Sequence, residues 1–261
     1  MPYYRVVGQI PRKRHIQFSR PDGGFYAEEL MGEEGFSSDS SLLYHAHPPT
    51  AIVKSEAPPD GGREPELSPN HPLLPRHYRT QELTKTGDLV LARQPLMGND
   101  DIRISFVTVD SPSELYRNSV GDEAVYLQNG SMRFESVYGA IDAVAGDYVI
   151  IPRGTIHRWL PEPAEPAVPV TALVIEARGH IRTPKRYLSQ TGQFLEHAPY
   201  SERDLRPVRG RSSPTATTCR SSCATGADSR LSPTRTTRST SSAGMAACTR
   251  TRSTSPTSSR S

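Results

Sequence analysis

Apolar and polar residues alternate along the middle of the chain, which is the pattern of half-buried β-strands. Residues 102–109, with the sequence IRISFVTV, alternate at first and then become largely apolar. Similar runs are bounded by glycine, proline, asparagine or aspartate, which favour turns. The pattern predicts strands at residues 90–91, 102–109, 124–128, 131–137, 140–144, 148–152 and 171–177. Short strands at this spacing predict a mainly β domain, built as a sandwich or a barrel.

Turn signals refine this prediction. Asn129-Gly130 separates two of the strands and tolerates positive φ at both positions, which predicts a type I′ hairpin. Gly146-Asp147 predicts a second turn, and the six prolines within residues 57–75 predict an exposed connection. Residues 25–32 are compatible with either one short helical turn or the end of a strand.

The composition changes near Val208. The 53 residues from Arg209 to Ser261 contain 26 serines or threonines, nine arginines, one acidic residue (Asp228) and no aromatic residue. Such a segment has almost nothing to bury, so we predict that residues 206–261 are disordered. Function is therefore expected in residues 1–205, as one folded domain.

The charge is divided in the same way. The whole chain carries +3, and the segment after Val208 carries nine arginines against one aspartate, a net +8, which leaves −5 for residues 1–208. An acidic domain is a poor match for a phosphate backbone, which binds clustered Lys and Arg. We therefore expect no specific nucleic-acid partner.

The cysteines and the first residues bear on the compartment. Cys219, Cys223 and Cys248 all follow Val208, so the domain contains no disulfide, and Cys219-x-x-x-Cys223 lacks the further ligands of a zinc site. No apolar run has the length of a membrane span, and no signal-peptide core follows Met1. A cytoplasmic protein without a membrane partner is expected.

One motif indicates a specific fold. Residues 146–157, GDYVIIPRGTIH, resemble the second motif of cupins, in which Pro-x-Gly turns the chain so that a histidine, here His157, faces inward. In metal-binding cupins that histidine joins a His-x-His and a glutamate, but residues 118–125 contain no histidine. One imidazole cannot hold an iron, so we interpret His157 as structural. Asp122 and Glu123 are interpreted as solvated turn residues.

A second histidine pair lies nearer the N-terminus. His45 and His47 share one face of a strand, but no carboxylate motif accompanies them. A surface or packing role is favoured for both.

Longer stretches of residues 1–206 resemble the N-terminal half of bacterial homogentisate 1,2-dioxygenases. The resemblance is carried by MPYYRVVG (1–8), PRKRH (11–15), FYAEELMG (25–32), FSSDSSLLYH (36–45), GDE (121–123) and GQFLEHAPY (192–200). It implies a cupin-like β-sandwich or jelly-roll in residues 1–205. It also implies Fe(II)- and O2-dependent cleavage of homogentisate to maleylacetoacetate in tyrosine and phenylalanine catabolism, by a homo-oligomer if the protein is intact.

The resemblance places the iron ligands, two histidines and one glutamate, in the C-terminal half of the family. None of them corresponds to a residue of this chain. We therefore assign no catalytic, cofactor-binding or metal-binding residue here, and we expect no Fe(II) to bind this chain. The alternative function is a non-catalytic cupin-like fragment that acts in oligomerisation or binding.

The arginine-rich segment has an explanation at the nucleotide level. GC-rich codons chosen for residues 238–255, read from the third base of the Arg238 codon, encode FDVVGWDGCLYPYAFNI. This run resembles the continuation of the family sequence. The hypothesis is that an out-of-frame reading begins between about Arg206 and Arg211.

Overall fold

The computed structural model describes residues 18–35, 37–45, 48, 67–162, 169–208, 221–224, 239–241 and 247–250. Its strands are β1 (Ala27–Glu34), β2 (Ser37–His45), β3 (Thr86–Gly87), β4 (Gln94–Gly98), β5 (Ile102–Val109), β6 (Leu115–Asn118), β7 (Asp122–Asn129), β8 (Ser131–Ser136), β9 (Gly139–Val144), β10 (Asp147–Ile151), β11 (His157–Pro161), β12 (Val170–Ala177), β13 (Leu205–Pro207), β14 (Ser221–Ala224), β15 (Ser239–Ser241) and β16 (Ala247–Arg250). Two 3₁₀ turns, Thr80–Glu82 and Lys185–Tyr187, are the helical elements of the described residues.

Strands β5–β12 form a jelly-roll. They pair antiparallel as nested partners, β8 with β9, β7 with β10, β6 with β11 and β5 with β12. The pairs lie in two sheets, ordered β5-β12-β7-β10 and β6-β11-β8-β9. This is the double-sheet arrangement of cupins, and it confirms the predicted mainly β, cupin-like fold.

The hydrophobic core lies between the two sheets. Val125 and Val174 contribute from one sheet, and Phe134 and Trp159 from the other, all of them buried. Phe134 and Trp159 are paired across β8 and β11, with their ring centroids 4.9 Å apart in an edge-to-face arrangement. Buried positions alternate along β8, β10 and β12, as the sequence pattern predicts, whereas β5, β7 and β9 each contain three or more consecutive buried residues.

The predicted hairpin at Asn129-Gly130 is wrong. Gly130 has the expected positive φ of 78°, but β7 pairs with β10 and β12, and β8 pairs with β9 and β11. The chain therefore crosses from one sheet to the other at Gly130. The preference of Asn-Gly for positive φ predicted the turn at Gly130. The sheet that β8 then joins depends on its pairing with β9 and β11, which come later in the chain.

The predicted strand at residues 90–91 is also wrong. Asp88 Oδ1 accepts hydrogen bonds from the backbone N–H groups of Val90 and Leu91 at 2.7 and 3.0 Å, and this holds the segment in a turn. The local aspartate overrides the apolar pair. Residues 27–32 belong to strand β1, which resolves the alternative left open for residues 25–32, and residues 67–75 are exposed as predicted.

The hairpin of β1 and β2 contacts the jelly-roll through Met31. The hydroxyl of Tyr138 donates to Met31 Sδ at 3.3 Å, and Met31 packs against the main core. The hairpin thereby covers part of the jelly-roll surface.

The described fold continues past residue 205. Val208 is buried, and Arg206 forms an ion pair with the buried Asp147. Beyond Val208 the structure describes the strands β14, β15 and β16, which pair with β6, β2 and β10 respectively. The rest of residues 209–261 lies outside the described residues, so the disorder of that remainder stays a prediction.

Gly121 is a sensitive position of the fold. A Cβ added there would lie 1.7 Å from the carbonyl oxygen of Ala177, whereas a Cβ at Gly179 would meet nothing within 4 Å. We expect Gly121→Ala to lower the free energy of unfolding by about 1–3 kcal/mol, because backbone has to move. Urea unfolding measures this, with Gly179→Ala as the matched control. Equal stability of the two variants would contradict the prediction.

Candidate functional site

A buried ionic network occupies one end of the jelly-roll interior, centred on Glu123 and Arg93. The two guanidinium nitrogens Nη1 and Nη2 of Arg93 donate to Oε1 and Oε2 of Glu123 at 3.0 and 3.1 Å. Glu123 is fully buried, on the same face of β7 as Val125 and Leu127. The pair is bidentate, the strongest geometry for arginine and carboxylate.

Arg93 also neutralises a second carboxylate. Glu176 of β12 lies directly opposite Glu123 in the sheet, and Arg93 Nη1 lies 3.0 Å from Glu176 Oε1. Like charges opposite one another destabilise a sheet. The guanidinium between them removes that repulsion.

Neutral donors complete the shell of Glu123. The hydroxyl of Tyr116 and the amide Nδ2 of Asn118 each donate to Glu123 Oε1 at 3.0 Å. The amide oxygen of Asn118 accepts from the backbone of Val120 and Gly121. The network therefore also fixes the loop that enters β7.

Burial alone would oppose ionisation of Glu123, but the Arg93 guanidinium outweighs it and lowers the pKa of Glu123 to about 2. Burial, Glu123 and Glu176 together outweigh the effect of Arg93 at Tyr116 and raise the pKa of its phenol well above the usual value. Glu123 is therefore ionised and Tyr116 is protonated at neutral pH. Both charged partners are held inside the protein, with Tyr116 as donor.

The interpretation of Asp122 and Glu123 as solvated turn residues is wrong. Both are buried, and β7 begins at Asp122 with neighbouring strands on both sides. Asp122 accepts hydrogen bonds from the backbone of Arg153 and Ile181 at 2.9 and 2.8 Å. An acidic pair after a glycine is typical of a surface turn. The donors that stabilise these buried carboxylates come from distant parts of the chain and could not be identified from the sequence.

His157 faces inward, as its motif predicts, and is fully buried. Its Nδ1 lies 2.9 Å from the carbonyl oxygen of Thr155, and its ring contacts Tyr116 edge-on with centroids 5.4 Å apart. Phe134 lies on another side of the ring at 5.2 Å. Its Nε2 is buried without a hydrogen-bond partner.

The surroundings of His157 do not fit an iron ion. The described residues contain no group of three or more His, Cys, Asp or Glu side chains placed to hold a metal. The buried carboxylate near His157, Glu123, is occupied by Arg93, Tyr116 and Asn118. The guanidinium of Arg93 supplies the positive charge beside Glu123 that a metal ion would otherwise supply. The absence of site residues remains a prediction.

His45 is buried at the end of β2. Its Nε2 lies 2.8 Å from Glu29 Oε2 on the neighbouring strand. A single carboxylate therefore accompanies this histidine, and its environment is that of a packed side chain. His47 lies outside the described residues.

Sequence reasoning missed Arg93 and Tyr116. They lie 30 and seven residues from Glu123 in the chain, so no short motif connects them. The acidic Glu123 next to the apolar residues of β7 was the available signal, because a buried carboxylate needs a cationic partner. The position of that cation depends on the fold.

The network makes the protein sensitive to acid. Burial lowers the pKa of His157 below its ordinary 6.5, with Arg93 adding to the effect and Glu123 opposing it. A group with a depressed pKa contributes full stability above its unfolded pKa, so the contribution of His157 declines below pH 6.5. The contribution of Glu123 declines only between pH 4.5 and about 2.

We therefore expect the free energy of unfolding to fall as the pH is lowered through 6.5, where the unfolded chain binds a proton that the buried His157 does not. His157→Gln should flatten this dependence, because it removes the buried titrating group. The measurement is urea unfolding at each pH, with His71→Gln as the control, since His71 is exposed. An unchanged slope in His157→Gln would contradict the assignment.

Two named relatives share sequence with the chain. It is 36% identical over 211 residues to a protein of Saccharolobus solfataricus that carries the provisional name dioxygenase, covering 79% of this chain and 52% of that protein. It is 28% identical over 157 residues to homogentisate 1,2-dioxygenase of Rhodopseudomonas palustris, covering 52% of this chain and 34% of that enzyme. The chain is thus related to dioxygenases and spans about half the length of the first relative and about a third of the second.

Solved structures with partial similarity are named as cupins. A cupin-2 domain protein of Shewanella frigidimarina is 18% identical with a TM-score of 0.29, covering 33% of this chain and 78% of its own. An RmlC-like cupin of Desulfovibrio desulfuricans is 19% identical with a TM-score of 0.28, covering 33% and 81%. The similarity is confined to about a third of this chain, and the cupin-like fold is established by its strand pairing.

No protein-family model matches the chain. The part of the chain that the structure describes contains no helix that is long and apolar enough to span a membrane.

Proposed function

We propose that this chain is, by descent, a homogentisate 1,2-dioxygenase. The reaction is ring cleavage of homogentisate by O2 to maleylacetoacetate, dependent on Fe(II), in tyrosine and phenylalanine catabolism. The observation that carries the proposal is the sequence relationship, at 36% identity over 211 residues to one relative named a dioxygenase and at 28% over 157 residues to a homogentisate 1,2-dioxygenase. The motifs in residues 1–206 agree with it.

The chemistry is assigned to residues that this chain does not contain. The buried end of the jelly-roll holds the Arg93–Glu123 pair in place of a set of metal ligands. Both carboxylate oxygens of Glu123 already accept hydrogen bonds from Arg93, and one of them also accepts from Tyr116. Bound iron would supply coordination sites for substrate and O2 in the complete protein. The jelly-roll would contribute packing and subunit contacts, and His157 would support its interior.

The segment after Val208 is included in the proposal as an out-of-frame reading. The run FDVVGWDGCLYPYAFNI, recovered from degenerate codons for residues 238–255, contains aromatic and apolar residues that a second jelly-roll core would bury. Sequencing the gene across codons 200–215 distinguishes an intact frame from a true lesion. An intact frame in the organism would make the enzyme the relevant product.

A non-catalytic role is the second candidate, favoured by the self-sufficiency of the buried network. Arg93, Glu123, Tyr116 and Asn118 satisfy one another without a ligand. Under this alternative the chain would act as a cupin-like oligomerisation or binding module. Sedimentation of the purified full chain would report its assembly.

The test of the proposal is ring cleavage by the protein in its restored frame. Homogentisate and Fe(II) are added in air, and the ultraviolet absorbance of the ring-opened product is followed together with O2 uptake. A folded, iron-loaded protein that forms no such product would contradict the assigned substrate.

A further inference from the structure

A groove of about 290 Å³ lies between the β1–β2 hairpin and the jelly-roll. The residues that matter to its chemistry fall into a polar set on the jelly-roll side and an apolar set on the hairpin side. The jelly-roll side consists of Arg117, Ser119, Arg153 and Gly154, and the hairpin side contains Leu30 and Met31.

The two arginines of the groove stand out by their lack of partners. Arg93, Arg133 and Arg158 each form an ion pair with a carboxylate. Among the residues that the structure describes, Arg117 and Arg153 are half-buried residues that pair with no carboxylate. A partly desolvated cation without a counter-charge is costly, and an anion in the groove would offset that cost.

The positions of the two arginines are set by backbone contacts. Gly154 N–H donates to the carbonyl oxygen of Asn118 at 2.6 Å, which joins the turn carrying Arg153 to the segment carrying Arg117 and Ser119. The N–H of Arg153 donates to the buried Asp122 at 2.9 Å. Both arms of the groove are therefore attached to the interior of the jelly-roll, and their spacing does not need to be established by a ligand.

The opposite wall is apolar. Leu30 is exposed, and Met31 reaches toward Gly154, where an added Cβ would lie 3.3 Å from Met31 Cε. Two arginines and a serine on one side of the groove and a leucine and a methionine on the other suit a ligand with one charged and one apolar end.

We propose that this groove binds a small organic carboxylate. Arg117 and Arg153 would donate to the carboxylate oxygens, because guanidinium forks match that planar anion, and Ser119 would add a neutral donor. Leu30 and Met31 would contact the apolar body of the ligand. The proposal does not depend on the dioxygenase assignment, because its residues belong to the jelly-roll and the hairpin.

Titration calorimetry of the full chain with benzoate, acetate and inorganic phosphate tests the proposal. We expect benzoate to bind more tightly than acetate and phosphate, because it carries both a carboxylate and an apolar ring. Arg117→Gln and Arg153→Gln should each weaken benzoate binding by about tenfold, the order expected for loss of one charged hydrogen bond. Arg178→Gln removes the same charge from an exposed arginine outside the groove and should leave binding unchanged.

Folding of each variant is checked by its circular dichroism spectrum and its Tm. Leu30→Ala, at an exposed hairpin position, should weaken benzoate binding but not phosphate binding. No benzoate binding by the unsubstituted chain, benzoate binding by both groove variants as tight as that of the unsubstituted chain, or tighter binding of phosphate than of benzoate would overturn the proposal.

Discussion

Restoring the reading frame between codons 206 and 211 is expected to convert an inactive polypeptide into an Fe(II)-dependent ring-cleaving dioxygenase. We expect the chain as given to consume no O2 with homogentisate, because the family's iron ligands have no counterpart in its sequence and the single imidazole of His157 cannot hold an iron. The repaired protein should turn over at about 1–10³ s⁻¹, the ordinary range for enzymes. Holding substrate and O2 together at one centre would contribute to such an acceleration by removing the cost of their encounter in solution.

The measurement is product absorbance and O2 uptake by both proteins, purified and loaded with Fe(II) side by side. Chelation of the iron should abolish activity in the repaired protein. His157→Ala in the repaired protein should reduce stability and leave the chemistry of the folded fraction intact. Loss of chemistry without loss of folding would show that the structural assignment of His157 is wrong, and activity in the unrepaired chain would overturn the assignment of the iron site to the absent half.

Glu123→Gln is expected to lower the free energy of unfolding by about 3–5 kcal/mol, the cost of leaving one partner of a buried ion pair uncompensated. Arg93 would retain only Glu176 as a charged partner, which is itself partly exposed. Arg93→Met should cost a similar amount, because it leaves two carboxylates facing each other across β7 and β12. Urea unfolding of each variant provides the measurement.

The double variant Arg93→Met/Glu123→Gln separates the pair from its surroundings. The glutamine oxygen can still accept from Tyr116 and Asn118, so the double loss should be smaller than the sum of the single losses. Arg133→Gln is the control, since Arg133 and its partner Asp142 are exposed and such pairs contribute about 0–1 kcal/mol, while Glu135 keeps Arg158 as a partner. Simple additivity in the double variant would mean that the two groups do not act as a pair.

The strands were predictable where local pattern and pairing partner agreed. Strand β5 occupies the predicted residues 102–109, and β12 the predicted 171–177 with one residue more. Strand β11 was not predicted, because its five residues HRWLP begin with a histidine and an arginine and show no clear alternation of apolar and polar residues. A strand this short depends on its neighbours β6 and β8.

The candidate site was predictable only in part. The motif at residues 146–157 predicted that Pro-x-Gly turns His157 inward, and Gly154 has a φ of 81° with His157 fully buried beyond it. The environment that His157 meets was not predictable, because Tyr116, Phe134 and Glu123 come from three other strands.

Residue types and their order were sufficient to predict the β-rich character of the domain, the change of composition at Val208 and the relationship to dioxygenases. These follow from residue type and order, since alternation, turn residues and the content of apolar side chains are local properties. Tertiary structure alone decided which sheet each strand enters at Gly130, that Glu123 is buried against Arg93, and that Arg117 and Arg153 share one groove. The physical reason is that burial and charge pairing are set by residues that the chain brings together from far apart, and no local pattern records which ones meet.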